Sequence, residues 1–368
     1  MRRAVYAGSF DPLTNGHMWV IGQSLDFDEL VIGVGTNPDK RGRYTFSKDE
    51  RVEMVKRATK HLPNVRVEPM DVQYINNFAS SMNGTHIVRG IRNTDDFKQE
   101  EVIRDFVSKY NPELSFLYSM PPPELRHTSS SFVKGLIGYN GWEDVVEGYV
   151  PRVVYNNLLV KFSGLQGRWS ALWERIGGKG TGEEAYRELI SLYGETKRAY
   201  HNFVHIAHAL REMDGAKDII ENPDGVEMAI WYHDAIYNTN EKCSEEKSAE
   251  LAGQRLGEAG LMTPFIDGVA DMILATKHQT MPAKSDKKYL VDIDLSILGK
   301  SHAEFDEYER DIRNEYSWVS EAQFRQGRGS ILQGFLDRDS IYSTDFFRQK
   351  YEEHARRNLE RSMAQLSR

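Results

Sequence analysis

A chain of 368 residues is long for one domain, and two domains are the expectation. Hydrophobic and charged fractions of 40% and 28% are ordinary for a globular protein. The formal net charge of −8 argues against broad nucleic-acid or anionic-membrane binding, and the single cysteine, Cys243, excludes an intrachain disulfide and a cysteine-rich zinc site.

Met1-Arg2-Arg3 runs directly into a short apolar strand, Ala4–Ala7. With no signal-peptide core and no membrane-length apolar run in sight, a cytoplasmic protein is expected, without membrane or nucleic-acid partners. The strand is followed by Gly8-Ser9-Phe10-Asp11-Pro12-Leu13-Thr14-Asn15-Gly16-His17 and a helical stretch beginning near Met18. A strand, a glycine-containing turn and a helix start favour anions, because turn N–H groups and the helix dipole both face them. Further strand-like runs at Leu30–Val34, Val65–Val67 and His86–Val88 alternate with helix-like segments; one of these, Ser47 to His61, opens with the capping-box pattern Ser-Lys-Asp-Glu. Such alternation implies an α/β domain with a doubly wound, Rossmann-like parallel sheet, whose ligands sit at the carboxyl ends of the strands. Chemistry-bearing residues follow the strands as this demands. Asn37-Pro38-Asp39-Lys40-Arg41 comes after the second, and Arg89-Gly90-Ile91-Arg92, then Asp95-Asp96-Phe97 and Glu100, after the fourth. A last strand, Leu114–Tyr118, leads through Pro121-Pro122-Pro123 to Thr128-Ser129-Ser130-Ser131, hydroxyls that can cap a helix or help bind phosphate.

The order TNGH, Lys, RGxR…DF…E, SSS is similar throughout residues 1–162 to phosphopantetheine adenylyltransferase of the nucleotidyltransferase superfamily. The resemblance implies transfer of AMP from ATP to 4′-phosphopantetheine, giving dephospho-coenzyme A and pyrophosphate, with Mg²⁺ accompanying the triphosphate. It implies that His17 stabilises charge at the α-phosphate and that Lys40 and Arg89 hold the phosphopantetheine phosphate, with Ser9 and Ile75 near that substrate. It places Ser9, Phe10, His17, Gly90, Ile91, Arg92, Glu100, Leu125, Arg126, His127, Thr128, Ser129, Ser130 and Ser131 around ATP. It also implies a homo-oligomer. Thr128 stands where the family often has an apolar residue, Gln99 where an aromatic is common, and the loop Lys40-Arg41-Gly42-Arg43 is more basic than usual. Nicotinamide mononucleotide adenylyltransferase is the alternative, but that family usually carries a histidine where this chain has Thr14.

Ser163-Gly164-Leu165-Gln166-Gly167 reads as a short polar linker, so the domains are expected at 1–162 and 163–368. From Trp169 onward the pattern is helix after helix, and five of the eleven histidines fall between 201 and 278. Tyr200-His201-Asn202-Phe203-Val204-His205 places two imidazoles at i and i+4, on one face of an expected helix. His233-Asp234 lies in the apolar run Ile230–Ala235, and Asp292 and Asp294 lie among aliphatics. Buried imidazole and carboxylate need partners, which a metal supplies. The order H…HD…D resembles the HD superfamily of metal-dependent phosphohydrolases and implies an all-α domain. The match implies His205, His233, Asp234 and Asp294 as ligands of Mn²⁺, Mg²⁺, Fe or Ni²⁺, with Asp292 the rival for the last place. His201 is then a candidate acid, His278 a candidate second-metal or phosphate ligand, and His208 a core histidine. The phosphorylated substrate stays open, and a non-catalytic metal-bound regulatory module is the alternative.

Overall fold

The computed structural model describes residues 1–38, 42–278, 282 and 285–367. The chain divides into two compact units, Met1–Leu158 and Leu159–Arg368.

The first unit is built on five parallel strands, β1 (Arg3–Gly8), β2 (Glu29–Val34), β3 (Val65–Pro69), β4 (His86–Gly90) and β5 (Ser115–Ser119), in the order β3-β2-β1-β4-β5. Leu30, Val31, Ile32 and Val34 are all fully buried, the near-continuous apolar run of a strand covered on both faces. The crossovers are α1 (Asn15–Gly22), α2 (Lys48–Thr59), α3 (Ile75–Ser81) and α4 (Thr94–Tyr110), followed by α5 (Ser130–Leu136), α6 (Trp142–Val146) and α7 (Arg152–Phe162). Val5, Val31 and Ile87 of the sheet join Phe78 and Ala79 of α3 and Val107 of α4 in one core cluster. The capping box expected at Ser47 is present: the Glu50 N–H donates to Ser47 Oγ (3.2 Å) and the Ser47 N–H to Glu50 Oε2 (2.6 Å). The order reverses at β1, whose neighbours β2 and β4 carry the chain in opposite directions; the crevice beyond β1 and β4 is where such a sheet binds ligands.

The expected linker is shorter in the structure. Helix α7 continues to Phe162 and α8 (Leu165–Arg175) starts at once, with Gly164 as its N-cap at φ 75° and Leu165 already buried. A left-handed backbone at that position suits glycine.

The second unit has helices α9 (Glu183–Tyr193), α10 (Phe203–Ala216), α11 (Pro223–Tyr232), α12 (Ser244–Glu258), α13 (Thr263–Ala275), α14 (Ser285–Asp294), α15 (His302–Glu315), α16 (Glu321–Leu336) and α17 (Asp345–Leu366), with no strand among the described residues. Every residue of α11 from Gly225 to Tyr232 is buried, marking it as the central helix. Around it Trp169, Tyr186, Phe203 and Trp231 interlock edge to face, with Trp169–Trp231 centroids 5.5 Å apart. His233 caps the end of α11, His205 sits in the first turns of α10 and Asp294 ends α14, so three buried helix segments aim at one point. No helix among the described residues is long and apolar enough to cross a membrane.

Candidate active sites

The signature loop of the first unit explains its own residue types. Thr14 is the N-cap of α1 and His17 its N3 residue, the position from which a side chain reaches back to the cap. The Thr14 N–H donates to His17 Nδ1 at 3.0 Å. That bond places the ring proton on Nε2, which is left free to donate. Gly16 is required because a Cβ there would lie 2.8 Å from the carbonyl oxygen of Thr128. Phe10 is buried behind the imidazole, edge-on at 5.2 Å. Burial, aided by the nearby Arg92 charge, lowers the His17 pKa to about 4, so the ring is neutral at physiological pH.

His17 lines a cavity of about 700 Å³ with Ser9, Arg89, Gly90, Arg92, Glu100, Leu125 and Thr128 to Ser131. Arg89 and Glu100 form a two-point pair, Nε to Oε2 at 2.7 Å and Nη2 to Oε1, while Nη1 donates to the Ala7 carbonyl at 3.0 Å. Arg92 is gripped by Asp96 through Nε–Oδ2 at 2.8 Å. Ser129 caps α5 by accepting from the Phe132 N–H, and Ser130 donates to the Pro12 carbonyl (2.8 Å), tying α5 to the signature loop. A neighbouring cavity of about 640 Å³ shares Ser9 and Arg89 and runs over Ile75, Ile103 and Phe106. Ile91 is buried away from both cavities, and Arg126 and His127 stand exposed outside them. Lys40 lies outside the described residues.

In the second unit one atom from each of His205, His233, Asp234 and Asp294 falls within 4.8 Å of the others. The His233 Nδ1–H donates to the Ile230 carbonyl (2.8 Å), which leaves Nε2 as the nitrogen that faces the cluster. That atom is 2.9 Å from His205 Nε2, whose ring is held from behind by the Tyr200 hydroxyl at 3.1 Å. Asp234 Oδ2 is 3.2 Å from His233 Nε2, and Asp294 Oδ1 is 3.2 Å from His205 Nε2. Two imidazole nitrogens at that distance, flanked by two carboxylates, require a shared proton or a cation between them. Two nitrogens and two oxygens make a donor set that suits a divalent transition metal. Burial works against ionising Asp234 and Asp294, but the surrounding imidazoles outweigh it and hold both below the usual carboxylate range.

Asp292 and Asp294 take different positions. Asp292 is fully buried and accepts from the Ser343 N–H (2.8 Å), the Thr344 N–H (2.7 Å) and the Thr344 hydroxyl (2.6 Å), turned away from the cluster. His278 Nε2 reaches the second oxygen of Asp294 at 2.9 Å. His208 donates to the Ser296 hydroxyl at 2.8 Å, and its pKa is lowered to about 3, chiefly by burial. The expected shared helical face of His201 and His205 is corrected: α10 begins at Phe203, because Asn202 caps it by accepting from the Val204 N–H at 2.9 Å. His201 instead lies before the helix, held by Glu315 at Nδ1 (2.6 Å) and stacked on Tyr237, with Nε2 4.0 Å from Asp234.

Residues 5–133 match the family described as cytidylyltransferase-like. The phosphopantetheine adenylyltransferase of Chromobacterium violaceum is 45% identical over 164 residues, covering 44% of this chain and 99% of that one. Those of Neisseria meningitidis serogroup C and Clostridium kluyveri are 44% and 39% identical, at 94% and 96% coverage of their own lengths and 44% of this chain each. In its α/β half, the chain belongs to the phosphopantetheine adenylyltransferase family.

Within this adenylyltransferase half, sequence reasoning assigned no role to several residues of the cavity. Lys134 lines it while bonded to Asp11 (2.9 Å), and buried Asp11 also accepts from the Thr45 and Phe46 N–H groups, joining the signature to the loop ahead of α2. In the helical half the unassigned residue is Glu315, which accepts from the backbone N–H of both Tyr200 and His201. Lys134 and Glu315 lie more than a hundred residues from their partners, and no spacing rule reaches that far. Asp96, in the first turn of α4, pairs with Arg92 just ahead of the Asn93 cap, so a rule for pairs on one helix face does not reach it either.

Proposed function

We propose that the chain is a two-domain enzyme. Residues 1–162 transfer AMP from ATP to 4′-phosphopantetheine, giving dephospho-coenzyme A and pyrophosphate, and residues 163–368 form an HD-type metal-dependent phosphohydrolase. The observation that supports the first assignment most is the neutral His17 ring, fixed by its own helix cap with Nε2–H facing a cavity lined by Arg89 and Arg92. A 4′-phosphate oxygen attacks the α-phosphorus, the bond to the bridging oxygen breaks, and pyrophosphate leaves. His17 Nε2–H donates to the α-phosphate oxygen as charge grows there; no proton needs to move, so a ring that cannot easily ionise is suited to the task. Arg89 and Lys40 hold the acceptor's phosphate, Ile75 and its apolar neighbours take the pantetheine arm, and Arg92 with Ser129 to Ser131 receive the triphosphate. The triphosphate would bring Mg²⁺, which would offset part of its charge. The names of the relatives favour phosphopantetheine over nicotinamide mononucleotide as the acceptor. His17→Ala is expected to slow pyrophosphate–ATP exchange in the presence of dephospho-coenzyme A by roughly a hundredfold or more; unchanged exchange contradicts the assignment.

What supports the second assignment is the facing pair of Nε2 atoms between two carboxylates. His205, His233, Asp234 and Asp294 would hold Mn²⁺, Fe, Ni²⁺ or Mg²⁺, which when bound supplies Lewis-acid activation of water and of a phosphoryl oxygen. His201, oriented by Glu315, stands beside the cluster where it would protonate a leaving oxygen. A histidine held this way, without being a ligand, favours hydrolysis over a purely structural metal module. After reconstitution with Mn²⁺, the protein is expected to retain about one equivalent by elemental analysis, and Asp234→Ala to lose it. Failure of the native protein to retain metal contradicts the assignment.

A further inference from the structure

Building on the phosphohydrolase reading, we infer that the helical half acts on a phosphate monoester with an extended, uncharged and largely apolar body, rather than on a polyphosphate. The cleft that takes in His201, Asp234, His278 and Asp294 has a volume of about 890 Å³, far more than one phosphate fills. The apolar part of its lining includes Leu298, Ile312, Phe324, Ile331 and Phe335, with the exposed Trp318 beside them. Phe335 packs edge-on to His278 with centroids 6.1 Å apart, so the apolar wall abuts the cluster.

One face of α16 supplies most of this wall, through Phe324, Gly327, Ile331, Gly334 and Phe335 at helical spacing. A Cβ at Gly327 or Gly334 would meet nothing within 4 Å, so the two glycines deepen the groove rather than admit a packed neighbour. Ile331 is 53% exposed and Trp318 57%, apolar surface left open along the groove. Charge points the same way. Among the described residues the cationic side chains of the cleft are Lys242, Lys277, Arg328 and Arg338. Lys277 is paired with Glu246, Arg328 with Glu309, and Arg338 donates to the His278 carbonyl. Glu241 and Glu245 add negative charge to the lining. Among the described residues a triphosphate or pyrophosphate would meet few cations not already engaged by a carboxylate or carbonyl. One phosphate at the cluster and an apolar tail along α16 satisfy both ends. In the step, the oxygen of water bonds to phosphorus, the ester P–O bond breaks, and the alcohol leaves with one proton of that water, so the products are alcohol and inorganic phosphate.

The test uses the full chain with Mn²⁺ and three probes: hexyl phosphate, glycerol 2-phosphate and inorganic pyrophosphate. Binding is followed by calorimetry and by Trp318 fluorescence, with Trp318→Phe as the control, and phosphate release is followed in parallel. Hexyl phosphate is expected to bind at least tenfold more tightly than glycerol 2-phosphate, the effect of burying about two methylenes. Gly334→Leu, whose side chain would occupy the groove without a core clash, is expected to erase that advantage and leave glycerol 2-phosphate unchanged. The inference is overturned if glycerol 2-phosphate or pyrophosphate binds as tightly, or if the advantage survives Gly334→Leu. Groove-dependent hexyl phosphate binding with no phosphate released supports this ligand class and instead refutes the hydrolase reading.

Discussion

His17 shows how much a single position can be asked to do. It closes the cap of α1, takes its orientation from the Thr14 N–H, and presents the opposite nitrogen to the cavity. With its pKa lowered from 6.5 to about 4, the folded protein binds fewer protons at this site than the unfolded chain between those values. The stability this residue contributes is therefore complete above about pH 6.5 and lost as pH falls toward 4. Nitrogen chemical shifts of histidine-labelled protein are expected to show His17 as the Nε2–H tautomer, unchanged from pH 8 to 5.5. Titration with a midpoint near 6.5 would contradict the cap-fixed neutral ring. Thr14, Gly16 and His17 were legible as a motif, and the structure supplies the reasons: a cap, clearance from the Thr128 carbonyl, and a ring tethered to the cap.

At the scale of elements, α14 carries two carboxylates two residues apart with different duties. Asp292 gathers three donors from Ser343 and Thr344 and so fixes the entry to α17, whereas Asp294 faces the histidines. Asp292→Ala is expected to cost about 3 kcal/mol in denaturant unfolding, since it strands buried donors, while metal content stays the same. Asp294→Ala is expected to do the reverse, losing metal with little loss of stability in the metal-free protein. Metal loss from the Asp292 variant would interchange the roles. Sequence periodicity placed both residues in an apolar segment but could not say which one turned inward, because that depends on a loop fifty residues later. Periodicity also misjudged His201, because the local preference of Asn202 for an N-cap starts the helix only at Phe203, two residues after His201. Strands and helices of the first unit were legible because alternating apolar runs and a capping box are local signals. Glu315 was not, because its value lies entirely in a contact across the fold.

For the molecule as a whole, each unit builds its site from its own residues: the turn and strand ends of the parallel sheet in one, three buried helix segments in the other. The chemistry we propose would be divided in the same way, positioning and charge stabilisation in the first and metal-assisted hydrolysis in the second. A substitution in one site is therefore expected to leave the other's chemistry intact. The most direct measurement is a chromatographic time course with ATP, 4′-phosphopantetheine, Mg²⁺ and Mn²⁺, comparing native protein with His17→Ala and Asp234→Ala. Dephospho-coenzyme A and pyrophosphate are expected to form with the native protein and with Asp234→Ala, and to vanish with His17→Ala. No dephospho-coenzyme A from the native protein, or an undiminished rate from His17→Ala, would contradict the account.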